Sequence, residues 1–247
     1  MQEKPFKRTV RQFSDGKYSE GGRWMYIRHP EFCRDSEHYV RAFQVLQKDY
    51  LNILDYIEPD DVNWNAYSFR IHELLMRVCI EIEANFKAIL RDNNYELRKN
   101  LSMKDYKKIE KSHYLSMYEV KFPVWRGGEK ILRPFENWSQ SGSPGWYQAY
   151  NKSKHDRHNH FHSANFGNLS YAIAGIVSVL GAQFLDGCFS SRASIVASFD
   201  NQDKFDDAIG GYFKIKFPEN IPLSDRYDFV WRDLEKQQNP FACFPYE

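Results

Sequence analysis

The sequence lacks most of the signals that announce a chemistry. Its four cysteines, Cys33, Cys79, Cys188 and Cys243, stand far apart and form no CxxC pair. Nothing suggests a disulfide framework, and a reducing, cytoplasmic setting is expected. No GxxxxGK[ST] phosphate loop occurs, and "RGGE" at 126–129 reads as a turn. Internal repeats and long low-complexity linkers are missing. The basic opening "MQEKPFKRTVRQF" has no apolar run behind it, so no signal peptide is expected. Only one long charge-free run exists, Leu169 to Leu185. At 17 residues it lies at the bottom of the membrane-spanning range, it carries Ser170, Ser178 and Gln183, and Asp186 follows at once. It reads as a buried bundle helix, and no membrane partner is expected.

What is present suits one large domain with a substantial core: 247 residues, 42% hydrophobic and 27% charged. Aromatic content is high at 17%, and many Phe and Tyr residues fall outside helical patterns, so the irregular parts are expected to pack. The net charge is +1, unevenly spread. Residues 193–247 hold six basic and ten acidic side chains, which leaves +5 on residues 1–192. A mildly basic body permits an anionic ligand.

Along the chain, residues 1–35 read as an irregular arm. Val40, Phe43, Leu46, Tyr50, Ile53 and Ile57 recur at helical spacing, with Asp35 or Ser36 as cap and Pro59 beyond the end. A second helix over about 66–91 puts Ile71, Leu75, Val78, Ile82, Phe86 and Ile89 on one stripe, with Cys79 as a small core residue. Beside that stripe lie Glu73, Arg77 and Glu81, an i,i+4 ladder. A more polar helix is expected over about 103–117. Val120, Phe122 and Val124 alternate ahead of "RGGE", a hairpin pattern in which Pro123 suggests an edge strand. Two helices follow, one capped by Ser143 with Pro144 at its first position, the other capped by Ser163. "GGYFKIKFPE" reads as a strand.

The junction of those last two helices concentrates the chemistry. Tyr150 to Asn165, "YNKSKHDRHNHFHSAN", holds four of the eight histidines together with Lys152, Lys154 and Arg157. If the chain stays near-helical, His158 and His162 share one face. Three uses are open. A histidine can move a proton while Arg157 holds a phosphate, and RNA supplies its own nucleophile in the 2′-OH. His155, His158 and His162, at i, i+3 and i+7, could present three imidazoles to a metal, although the neighbouring cations oppose this and no metal or other cofactor is expected. Or the stretch is a solvated helix end. Glu81 and Glu83 could orient Arg157, or simply form surface ladders; Trp125, Trp138 and Trp146 could stack bases, although packing is the expected role.

The run "AYNKSKHDRHNHFHSANFGNLSYAIAGI", following "FRIHELLMRVCIEIEANFKAIL", resembles the HEPN superfamily. Its motif is Arg, a polar residue, a few positions, then His, at the entrance to the last core helix of a four- to five-helix bundle. Arg157, His158 and His162 match it, and "YNKSKH", Tyr150 to His155, is similar to the approach seen in some members. At the level of helix order the resemblance spans about residues 65–190; motif-level likeness is confined to the stretch around Arg157–His162. It implies a metal-independent endoribonuclease of toxin–antitoxin, phage-defence or stress systems, cutting by 2′-OH attack to leave 2′,3′-cyclic phosphate and 5′-OH ends. It further implies a homodimer with two motifs facing one composite cleft, and an antitoxin or other defence-system partner. Arg157 would bind the scissile phosphate, His162 would be the acid/base group, and His158 would support it. Asn151, Lys152, Lys154 and His155 would then line the path of the RNA. Other members have lost catalysis, so a non-catalytic helical scaffold binding a nucleotide or protein is the alternative.

The expected architecture is therefore mainly α: an arm over 1–35, a HEPN-like bundle over 36–190 with its core at about 65–190 and an inserted β-hairpin at about 119–135, and a small β-containing appendage over 191–247 packed on the bundle.

Overall fold

The apolar stripes of the two longest runs meet. The computed structural model describes residues 1–18, 20–97, 101–140, 142–185 and 203–247. In it α2, Phe69–Asp92, packs along α7, Phe166–Phe184, and α1, Ser36–Leu54, lies against both. The stripe of α2 is buried throughout, from Ile71 through Val78 and Ile82 to Ile89. Burying a side chain of this size contributes about 1.5–3 kcal/mol, so these faces dominate the stability of the bundle. By length and composition α7 could cross a membrane, yet 89% of its most apolar window is buried within the protein. Cys188 and the rest of 186–202 lie outside the described residues.

Polar groups inside the bundle set how the helices align, since a buried polar atom without a partner is costly. Gln183 on α7 donates to Asn85 Oδ1 on α2 (3.0 Å) and accepts from Arg8 of the arm (3.0 Å). Arg8 also pairs with Asp92. Tyr50 on α1 hydrogen-bonds Ser170 on α7 (2.9 Å). The polar residues of the charge-free run are thus bonded within the core.

Several boundaries differ from expectation. Asp35 precedes α1 in a left-handed conformation and caps nothing with its side chain. The helix expected over 103–117 is broken into α3, Met103–Tyr106, and α4, Glu110–His113, joined and followed by 3-10 turns. Tyr114, at φ 53°, interrupts it. Pro144 occupies the N-cap position of α5, Gly145–His155, without a side-chain cap from Ser143. Asn165, rather than Ser163, caps α7 by accepting from the Asn168 N–H (2.9 Å).

The hairpin forms, with β1, Glu119–Phe122, antiparallel to β2, Lys130–Leu132, and Val120 opposite Leu132. Gly127 and Gly128 make the turn at positive φ. On its other side β1 pairs with β4, Lys214–Lys216, and β3, Asp206–Asp207, completes the order β2-β1-β4-β3. So β1 is an inner strand and not an edge. Pro123 lies one residue past its end and removes no ladder bond.

The arm has little regular structure but a buried apolar set: Phe6, Val10, Phe13, Tyr26, Ile27 and Phe32. It bridges to the C-terminal region at Gln2–Tyr227, Phe13–Tyr227 and Phe6–Ala242. The fully buried Tyr227 hydroxyl accepts from the Phe6 N–H and donates to the Thr9 carbonyl. Beyond Tyr227, a short helix α8, Trp231–Leu234, buries Trp231 against Tyr26.

Candidate functional site

The stretch from Tyr150 to Asn165 folds as an elbow between α5 and α7. Asn151, Lys152, Lys154 and His155 occupy the last turns of α5. The helix stops at His155, because Asp156 leaves helical geometry (φ −139°, ψ 72°) and starts a new turn, α6, Arg157–His160. The Asp156 carboxylate accepts from the Asn159 N–H (3.2 Å) and the Asn159 side chain (2.8 Å). These bonds hold its pKa below the usual carboxylate range, helped by the charges of His160 and His158. A 3-10 turn, Phe161–Ser163, leads on to α7.

This break corrects the single-face reading. His155, His158 and His162 are not presented by one continuous helix. The ring next to His162 is His160, at 6.5 Å between centroids. Among the described residues, no group of three or more His, Cys, Asp or Glu is placed to hold a metal.

Arg157, His158 and His162 are all exposed, as are Lys152, Lys154 and His155; Asn151 is half-buried. No acidic side chain pairs with Arg157 among the described residues, and its guanidinium lies over the Phe69 ring at 5.9 Å. Lys154 turns back on Tyr150, donating to its hydroxyl (3.1 Å) and resting over the ring. It is therefore less available to a ligand than Lys152. A shallow cleft of about 290 Å³ runs beside the elbow, lined by Gln148, Lys152, His162, Ser163, Asn165 and Asn168. A larger groove of about 410 Å³ lies between α1 and α2, but its charges satisfy one another: Arg77 with Asp49 (2.6 Å) and Arg70 with Glu73 (3.5 Å).

The elbow is fixed by the loop that leads into α2. The Phe166 N–H donates to the Ala66 carbonyl (2.8 Å), the Gly167 N–H to the Trp64 carbonyl (2.9 Å), and Tyr67 bridges to Asn165. This loop carries Tyr67 and Phe69 up to Phe161, whose ring they meet at 5.8 and 4.7 Å. His72 completes the set, its ring 5.5 Å from Phe161. Burial, with the Arg157 charge beside it, lowers the His72 pKa, and the nearby Ser153 backbone opposes this. Its Nε2 is shielded from solvent and has no partner.

Neither Glu81 nor Glu83 touches Arg157. Glu81 accepts from Asn85 (3.2 Å), and Glu83 accepts from Tyr147 (2.9 Å), which ties α5 to α2. Trp125, Trp138 and Trp146 are buried and pack, with Trp146 donating to the Pro134 carbonyl (2.9 Å). The aromatic residues at the elbow are instead Tyr67, Phe69 and Phe161, which sequence reasoning missed. A signal existed. Phe69 stands two residues before Ile71, roughly 200° around the helix from the buried stripe, where an apolar side chain has no core to enter.

No family model matches the chain, and neither a curated protein nor a solved structure does.

Proposed function

We propose that the protein is a HEPN-like, metal-independent endoribonuclease or RNA-binding module of a phage-defence, toxin–antitoxin or stress system. One observation carries this reading. Arg157 and His162, in the Arg–polar–three residues–His pattern, stand exposed on the elbow that enters the long buried helix α7, with no acid neutralising the arginine among the described residues. A free guanidinium offers a fork to a phosphate and to the charge that builds on it in the transition state. A solvent-facing imidazole can exchange the proton of the 2′-OH or of the leaving 5′-oxygen. Lys152, in the same cleft as His162, extends the positive track.

Strand cleavage works best with both a base and an acid. His72 is a poor second group, because its Nε2 faces the protein and not the cleft. A two-fold homodimer supplies the second His162, with the RNA between the two elbows. The apolar face of α7 is spent inside each subunit, so the contact must come from surfaces flanking the elbow and not from α7.

The test is an RNA digest with wild type, Arg157→Ala and His162→Ala, with and without EDTA. Cleavage should survive EDTA, leave 2′,3′-cyclic phosphate and 5′-OH ends, and fall about 10²–10⁴-fold in His162→Ala. Loss of cleavage in EDTA would refute the mechanism. RNA binding without cleavage in the wild type would leave the binding-module form, and neither binding nor cleavage would leave the scaffold.

A further inference from the structure

The aromatic residues beside the elbow have more surface than their packing uses. Tyr67 and Phe69 are 55% and 68% exposed, whereas most aromatic side chains of this protein are buried. Both belong to the short segment pinned on the start of α7, so they are held in place and not on a free loop. Both rings meet Phe161, at 5.8 and 4.7 Å, and keep more than half of their surface open to water. Arg157 lies over Phe69, and the cleft with Lys152 and His162 adjoins through Asn165 and the Phe161–His162 pair.

We propose that Tyr67, Phe69 and Phe161 form a stacking subsite for an unpaired base of single-stranded RNA, whose neighbouring phosphate is held by Arg157. This rests on the RNA reading of the elbow. Alternation of exposed aromatic faces with unpaired cations is what single strands require, because every base has a π-face and every link a charge. Duplex RNA would bury its bases away from such a platform. A second copy of the chain is the rival cover for an apolar patch. Pressed face to face, however, it would set Arg157 and Lys152 against the same cations, with Asp156, already bonded to Asn159, the one acidic side chain of the elbow, which disfavours a dry contact. A strand lying between two elbows brings the missing negative charge.

The experiment measures binding of a fluorescein-labelled single-stranded oligoribonucleotide by anisotropy, using Phe69→Leu, Phe161→Leu and Arg157→Ala in the full chain. Leucine keeps apolar bulk and removes the ring, and circular dichroism with a melting curve checks each fold. The digest-deficient His162→Ala background keeps the RNA intact. Phe69→Leu should weaken binding by about five- to a hundredfold. An oligonucleotide of equal length with abasic sugars should bind the unsubstituted background weakly and lose nothing further on Phe69→Leu. Unchanged affinity in Phe69→Leu, together with a loss in Arg157→Ala, would overturn the subsite and leave the RNA reading standing. A Phe69→Leu protein that changes sedimentation state but not RNA affinity would assign the patch to an interface and also overturn it. No binding of any RNA by the background protein would end both.

Discussion

Among the histidines, His113 is the one whose titration the fold shifts furthest, and it lies far from the elbow in sequence. It is buried; its Nε2 donates to the Arg8 carbonyl (2.9 Å), and its Nδ1 lies 2.6 Å from the Ser112 hydroxyl. Burial pushes its pKa from 6.5 down to about 3, with the Arg11 and Arg8 charges adding to the effect and the Arg8 carbonyl opposing it. A depressed histidine destabilises the folded state in acid. Above pH 6.5 both states are neutral there and nothing is lost; below it the unfolded chain takes a proton that the folded chain refuses, down to about pH 3. Between pH 7 and pH 5 this single group should remove about 2 kcal/mol of stability. Urea unfolding of wild type and His113→Gln at the two pH values measures it. An equal pH dependence in both proteins would show that His113 is not the source.

Among the elements, the joint between the 64–68 loop and the start of α7 matters most to the site. A Cβ built on Gly167 would come 2.3 Å from the Trp64 ring, so the indole is pressed directly on the helix backbone. Trp64 is also wedged edge-on against Trp125 and Tyr171, with Lys130 over its face. Two effects of Gly167→Ala compete. Helix propensity favours alanine by about 1 kcal/mol, whereas forcing atoms into a packed contact costs about 1–3 kcal/mol. The ring has neighbours on several sides, so the clash should win: the variant should be destabilised in urea and its tryptophan emission shifted. A more stable Gly167→Ala protein with unchanged emission would mean that Trp64 moves aside freely and does not anchor Tyr67 and Phe69.

For the whole molecule the open quantity is assembly. One chain presents His162 and His158 on an exposed elbow and keeps the Nε2 of His72 turned inward. The proposed mechanism, with a His162 from each of two subunits as base and acid, calls for a dimer. Light scattering at micromolar concentration should give twice the chain mass, and mixing His162→Ala with wild-type subunits should lower cleavage below the share of wild-type chains if the two-fold cleft is shared. A stable monomer that still cuts RNA would refute the composite cleft. The arm and the described C-terminal residues hold each other through Tyr227, and none of them lines the cleft at the elbow.

The sequence alone determined the long helices, because burial of one stripe dictates a 3.6-residue period: Ile71 to Ile89 and the charge-free run both lie where their patterns put them. It determined the hairpin for a similar reason, with two glycines free to take positive φ. It also singled out Arg157 and His162, since clustered cations and imidazoles stand out in composition. Tertiary structure decided the rest. Whether the elbow is one helix depended on the Asp156 carboxylate choosing the Asn159 N–H over solvent, a local competition that helical spacing does not register. That Pro123 falls just outside a strand paired on both sides depended on β4, nearly a hundred residues away. And Phe69 and His72 became neighbours of Arg157, and Tyr67 of Phe161, because two backbone hydrogen bonds fasten the 64–68 loop to the first turn of α7, a contact between segments about a hundred residues apart that no local pattern encodes.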